Sequence, residues 1–168
     1  MHRIFLIGYM GSGKTVMGQL LAKQLGLSFV DLDNYIEGKY RRTIAQIFEQ
    51  DGENAFRAIE QKHLHEVAEF EDVVIATGGG APCFFDNMDY MNENGTTIYL
   101  KLNVEQLLLR LLASKSGVRP LISDKTPEEL RIFIAENLTK REQFYHRAKH
   151  IISGSDDEII RQIRDFKP

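Results

Sequence analysis

Four residues within IFLIGYMGSGKT, residues 4–15, stand at a spacing that does chemistry: Gly8, Gly13, Lys14 and Thr15 fill the pattern G-x-x-x-x-G-K-[ST]. They lie between an apolar run that reads as a strand and an amphipathic run that reads as a helix, the context such a loop requires. A random match somewhere in a chain of this length has a probability of roughly 0.5%. The glycines, with Gly11 and Ser12 among them, let successive backbone N–H groups turn inward around a polyphosphate, and the helix N-terminus adds partial positive charge. Lys14 then neutralises the outer phosphates, and the Thr15 hydroxyl can ligate Mg2+. A loop of this kind holds a nucleoside triphosphate; the plainer alternative is a glycine-rich turn with no ligand.

Such loops serve switches, motors and small-molecule kinases alike, so other residues must decide. The sequence contains no D-x-x-G switch and no N-K-x-D guanine signature, which argues against a GTPase switch. In FVDLD, Asp31 and Asp33 fall at the end of a strand-like run, and the two-residue strand period points both toward the phosphate crevice. One can support Mg2+ while the other orients or deprotonates an acceptor hydroxyl. The alternative is that Asp33 or Asn34 caps a following short helix. A later run ends in ATGGG, and three consecutive glycines, Gly78, Gly79 and Gly80, lose much entropy on folding unless the backbone must approach something closely. A ligand at the carboxyl edge of an open α/β sheet meets that description, and a tight turn is its rival.

The elements that must hold these groups show as an alternation. The apolar runs RIFLIG, SFVDLD, DVVIATGG, TTIYLKL and HIISG are separated by longer helical patterns over 14–25, 43–50, 53–70, 86–92, 104–113, 127–147 and 156–166. Strands alternating with helices predict a parallel sheet covered on both faces. TIAQ at Thr43 predicts a capping box, and TPEE puts Thr126 at an N-cap with Pro127 in the first helical position. Ile159, Ile160 and Ile163 mark a docking helix. The polar segment SKSGVRPLISDK, residues 114–125, reads as a mobile loop.

At 168 residues and 43% hydrophobic, the chain can build one core, and no apolar run is long enough to span a bilayer. The expectation is a single cytoplasmic domain without membrane contact. The lone Cys83 reads as a small core residue, and His63 and His65, two apart on a helix, face different ways and make no metal pair. A net charge of −3 argues against a nucleic-acid partner.

In order and spacing, GYMGSGKT, DLD, FR with Glu60 three residues on, IATGGG, RPL and KREQFYHRA resemble the shikimate kinase family over essentially the whole chain. The resemblance implies a three-layer P-loop NTPase fold with a five-stranded parallel sheet, ATP and Mg2+ as nucleotide and metal, and phosphorylation of the shikimate 3-hydroxyl on the way to chorismate and the aromatic amino acids. By the same resemblance Asp33 binds the acceptor hydroxyls as base or orienter, Asp31 holds Mg2+ with Thr15, Arg57 and Arg141 grip the shikimate carboxylate, and Gly78, Gly79 and Gly80 line its pocket. Arg110 would stack on adenine, Arg119 would close over the phosphates as a lid spanning about 114–125, and a helical segment over about 33–62 would carry the acceptor. A planar guanidinium fork is the side chain best matched to a carboxylate. The chain departs from the family in a longer spacing between Arg110 and Arg119, and in SGSD where relatives often carry a proline against the adenine. A gluconate-type kinase would keep the loop with other acceptor residues, and a regulatory nucleotide-binding module would need neither Asp33 nor the arginines. A monomer is expected.

Overall fold

The computed structural model describes residues 1–114 and 124–168. At its centre is a parallel sheet of β1 (Arg3–Ile7), β2 (Ser28–Asp31), β3 (Val73–Ala76), β4 (Thr96–Lys101) and β5 (His150–Ser153), in the order β2-β3-β1-β4-β5. β1 and β3 are unbroken apolar runs because both faces of a parallel sheet are covered, and Ile4 to Ile7 and Val73 to Ile75 are fully buried. Phe5 pairs with Ile75 on one side and Thr97 on the other. Around the sheet lie α1 (Lys14–Leu25), α2 (Leu32–Tyr40), α3 (Ile44–Asp51), α4 (Glu53–Val67), α5 (Asn87–Asn94), α6 (Val104–Ala113), α7 (Pro127–Tyr145) and α8 (Asp156–Asp165), with a 3-10 turn at Ala81–Cys83. Among the described residues no helix is long and apolar enough to cross a membrane.

Crossovers between parallel strands are right-handed. The chain leaves β1 toward the β2 edge through α1 and leaves β3 in the other direction, to β4, through α5, so α1 and α5 lie on opposite faces. α8 returns to pack on α1. The change of direction falls between β1 and β3, and the crevice outside the carboxyl ends of two such strands is where open α/β sheets bind ligands. The phosphate-type loop follows β1 and the three glycines follow β3, so both open on that crevice.

The local signals hold where they rest on short-range chemistry. Thr43 and Gln46 form the expected capping box, Asn103 and Gln106 form a second, and Thr126 caps α7 with Pro127 in its first turn. Ile159 and Ile163 are buried, with Ile160 beside them partly exposed. The chief departure is the start of α2: the sequence predicts a helix here only as an alternative capped by Asp33 or Asn34 and as part of the segment over about 33–62, and it begins at Leu32. Asp31 ends β2 and caps α2, its Oδ1 accepting from the Asn34 backbone N–H at 3.0 Å. The strand period therefore stops short of Asp33, which sits in the first turn of α2, and neither Asp33 nor Asn34 is the cap. Cys83 is half-buried at the edge of the core. Of the expected lid over about 114–125, residues 115–123, Arg119 among them, lie outside the described residues.

Gly18 sets how closely α1 lies on the sheet. A Cβ there would stand 2.6 Å from Phe29 Cε2 and 3.1 Å from Leu6 Cδ1, one turn beyond Thr15. Helix propensity alone gives Gly18→Ala a gain of about 1 kcal/mol, whereas overpacking typically costs about 1–3 kcal/mol. The clash should win, with a net loss of about 1 kcal/mol by urea unfolding. A raised midpoint would show that α1 is not held at glycine distance.

Candidate active site

The phosphate-type loop is shaped by its glycines. Gly8 and Gly13 have φ of 154° and 91°, in a region that side-chain-bearing residues rarely enter. Ser12 N–H donates to the Tyr9 carbonyl at 3.1 Å, and Lys14 Nζ donates to the Gly8 and Tyr9 carbonyls at 2.8 and 3.0 Å. In the first turn of α1 the Thr15 hydroxyl donates to Asp31 Oδ2 at 2.9 Å. A hydroxyl beside a carboxylate is a hard-oxygen donor set of the kind Mg2+ takes together with phosphate oxygens. Arg110, from α6, bonds Asp156 Oδ1 at 2.6 Å, and its other guanidinium nitrogen lies 2.7 Å from where a Cβ on Gly13 would be.

At the end of β3 each glycine leaves room for a different functional group. A Cβ on Gly78 would lie 3.0 Å from Asp33 Oδ1 and 3.1 Å from Glu60 Oε2. On Gly79 it would lie 3.2 Å from the Met10 backbone nitrogen and 3.3 Å from an Arg141 guanidinium nitrogen. On Gly80 it would meet the Arg57 guanidinium at 2.6–2.9 Å. The segment thus gathers α2, α4, α7 and the phosphate loop at one point. Of the residues singled out from sequence, Asp33, Arg57, Arg141 and the three glycines meet here, while Thr15 and Asp31 meet beside the phosphate-type loop and Lys14 bonds that loop's carbonyls.

Arg57 is buried, at 7% exposure, and firmly oriented. It donates to Glu60 Oε1 at 2.9 Å and pairs with Glu53 at 3.6 Å, and its Cζ lies 4.1 Å from the Phe84 ring centre. Phe56 and Phe48 lie at 5.2 and 5.6 Å. Glu60, at 1% exposure, is the residue sequence reasoning used only as a spacing mark. Its i,i+3 distance from Arg57 is the signal that places both on one helix face.

Burial dominates the acid–base chemistry. It pushes the Asp33 carboxyl up to about 6, helped by the Asp31 charge and opposed by Lys14, with Glu37 raising and Arg57 lowering it further. It pushes Glu60 up to about 7 against the pull of Arg57. It also pushes the Cys83 thiol up to about 11 and the Tyr9 hydroxyl up to about 12. A crevice that raises two neighbouring carboxyls into the neutral range beside fixed cations is suited to taking a proton from an acidic or hydroxylated guest.

Residues 10–166 match the family described as Shikimate kinase. A shikimate kinase of Parabacteroides distasonis is 61% identical over 148 residues, 88% of this chain and 85% of its own length. Among solved structures, shikimate kinase from Bacteroides thetaiotaomicron superposes with a TM-score of 0.91 at 44% identity, covering 97% of this chain and 94% of that one. Shikimate kinase from Acinetobacter baumannii, in complex with shikimate, superposes with a TM-score of 0.86 at 34% identity, covering 98% and 89%.

Glu60 should be visible in the pH dependence of stability. Its folded pKa lies above the ordinary 4.5, so between about 4.5 and about 7 the folded state holds more proton than the unfolded state. The Glu60 contribution therefore falls as pH rises through that window. The stability difference between wild type and Glu60→Gln should shrink by roughly 1–3 kcal/mol from pH 5 to pH 7.5, any constant cost of the substitution dropping out of the slope. Urea unfolding across that range measures it, and a difference that is flat or grows with pH refutes the assignment.

Proposed function

Because the chain belongs to the shikimate kinase family and transfers a phosphoryl group from ATP to shikimate, we propose that the transfer takes place in the crevice between β1 and β3, with Asp33 at the acceptor hydroxyl and Arg57 and Arg141 on its carboxylate. The observation that carries this reading is the convergence of those three side chains on Gly78, Gly79 and Gly80. Asp33 comes from one side of the pocket and the two guanidinium groups from the others, as an acid with ring hydroxyls requires.

The acceptor oxygen attacks the γ-phosphorus, the bond from that phosphorus to the β–γ bridging oxygen breaks, and ADP leaves. The hydroxyl proton passes to Asp33, whose carboxyl, raised to about 6, is a better match for that proton than an ordinary aspartate. Lys14, now on the Gly8 and Tyr9 carbonyls, lies within the loop that would wrap the phosphates and would counter their charge. Thr15 and Asp31 would hold Mg2+, which when bound neutralises phosphate charge. Arg110, fixed by Asp156, borders the loop at Gly13 and is the group we assign to the nucleotide base. The segment from α2 to α4 supplies Asp33 and Arg57 to the acceptor, with Arg141 from α7 and the backbone of Gly78, Gly79 and Gly80 completing the pocket.

ADP release in the presence of Mg2+ and ATP should be strongly stimulated by shikimate and unaffected by gluconate; stimulation by gluconate alone removes the acceptor assignment while leaving the nucleotide loop intact. Gly80→Ala tests Arg57 specifically, since the added methyl takes the space of its guanidinium. The shikimate KM should rise about tenfold or more, equivalent to about 1.4 kcal/mol, with the ATP KM within about twofold. An unchanged shikimate KM in a folded variant places Arg57 outside the acceptor site.

A further inference from the structure

We propose that Tyr9 is a positioning residue for Arg141: the ring of a phosphate-loop side chain fixes the guanidinium that holds the acceptor carboxylate. The inference rests on the reading of Arg141 given under the proposed function. By its backbone Tyr9 belongs to the nucleotide half of the site, because its carbonyl accepts from both Ser12 N–H and Lys14 Nζ. By its side chain it belongs to the acceptor half. The ring is 1% exposed, and Arg141 Cζ stands 5.6 Å from its centre, within the roughly 6 Å over which a cation is drawn to an aromatic face.

The two arginines of the acceptor site are held by different chemistry. Arg57 is set by carboxylates, Glu60 at 2.9 Å and Glu53 at 3.6 Å. Among the described residues no carboxylate forms an ion pair with Arg141, although its charge reaches Glu60; its guanidinium lies over the Tyr9 ring and within reach of the Tyr145 hydroxyl, one turn further along α7. The Tyr145 hydroxyl donates to the Gly79 carbonyl and pins α7 to the glycine beside which Arg141 ends. A carboxylate partner would compete with an incoming acid for the guanidinium. An aromatic face orients the cation without an ion pair that an incoming carboxylate must break. The Tyr9 hydroxyl makes no hydrogen bond to a described residue, so what Tyr9 offers Arg141 is its ring.

The test is a cycle of Tyr9→Phe, Tyr9→Leu, Arg141→Ala and the Tyr9→Leu/Arg141→Ala double variant, each scored by kcat and by the KM for shikimate and for ATP. Tyr9→Phe keeps the ring and should stay within about twofold of wild type. Tyr9→Leu should raise the shikimate KM by about three- to tenfold, leave the ATP KM unchanged, and add nothing to Arg141→Ala in the double variant. Additive effects, an equal rise in the ATP KM, or a Tyr9→Phe as impaired as Tyr9→Leu would each overturn the proposal. If Arg141→Ala raises the shikimate KM and Tyr9→Leu does not, the proposal falls and the Arg141 assignment stands; if Arg141→Ala has no effect, both fall. Should Tyr9→Leu lose cooperative thermal unfolding, Tyr9→Met, which keeps volume without a ring face, carries the same expectations.

Discussion

Positions 78–80 carry no side chain, and the close approach this allows shapes the site. Each missing Cβ is replaced by a group from elsewhere: carboxylates of α2 and α4 at Gly78, the phosphate loop and α7 at Gly79, a guanidinium of α4 at Gly80. The helices that come this close to the strand end are also tied to one another. α2 is fastened to α4 by a polar cluster in which Glu66 accepts from Lys39 at 2.8 Å and from Tyr35, while His63 lies 2.9 Å from Glu66 and 3.1 Å from the Tyr40 hydroxyl. That cluster shares its two helices with Asp33, Arg57 and Glu60, so the spacing of the acid and the guanidinium is a property of the α2–α4 pair rather than of either helix.

The electrostatics show which effect prevails when charges are gathered in this way. Lys14 and Arg57 stabilise the ionised form of Asp33, and Arg57 and Arg141 that of Glu60, yet both carboxyls are raised. Desolvation therefore exceeds the attraction of the cations, the usual outcome where burial is deep and the positive groups have other contacts to satisfy. The fold tolerates this destabilisation at one place, and functional sites are where such perturbed groups gather. In the proposed site an acidic guest with hydroxyls would supply a mobile carboxylate for Arg141 and donors for Asp33.

Sequence and structure agree most closely where the chemistry is local. The loop from Gly8 to Thr15 is legible because its pattern, its flanking strand and its helix lie within one short stretch. The caps at Thr43 and Thr126 are legible for the same reason. The spacing of Asp33 from Asp31 fits the period of two and reads as strand; a helix starting at Leu32 changes the period within a single residue, and a pattern that short does not choose between the strand and a short helix beginning there. Tyr9, Phe84, Tyr145 and the Arg110–Asp156 pair are invisible in the sequence, since each acts across long chain separations fixed only by packing. Glu60 lay between these cases, legible as a helix neighbour of Arg57 and illegible as a neighbour of Asp33.

The nucleotide and acceptor halves are joined by one carboxylate. Asp31 Oδ2 accepts from the Thr15 hydroxyl on α1, and Oδ1 accepts from the Asn34 N–H that opens α2. A side-chain acceptor at an N-cap fixes the first turn of its helix, and Asp33 lies in that turn. The group that would share Mg2+ with Thr15 would therefore also set the direction from which Asp33 meets the acceptor in the proposed site. In a reaction that depends on holding two oxygens in line on either side of one phosphorus, such a shared anchor fixes geometry that two independent anchors would leave to the sum of their separate freedoms. Gly18 completes the arrangement by letting α1 lie close enough to β2 for Thr15 to reach Asp31, so a position with no side chain underlies this half of the site as well.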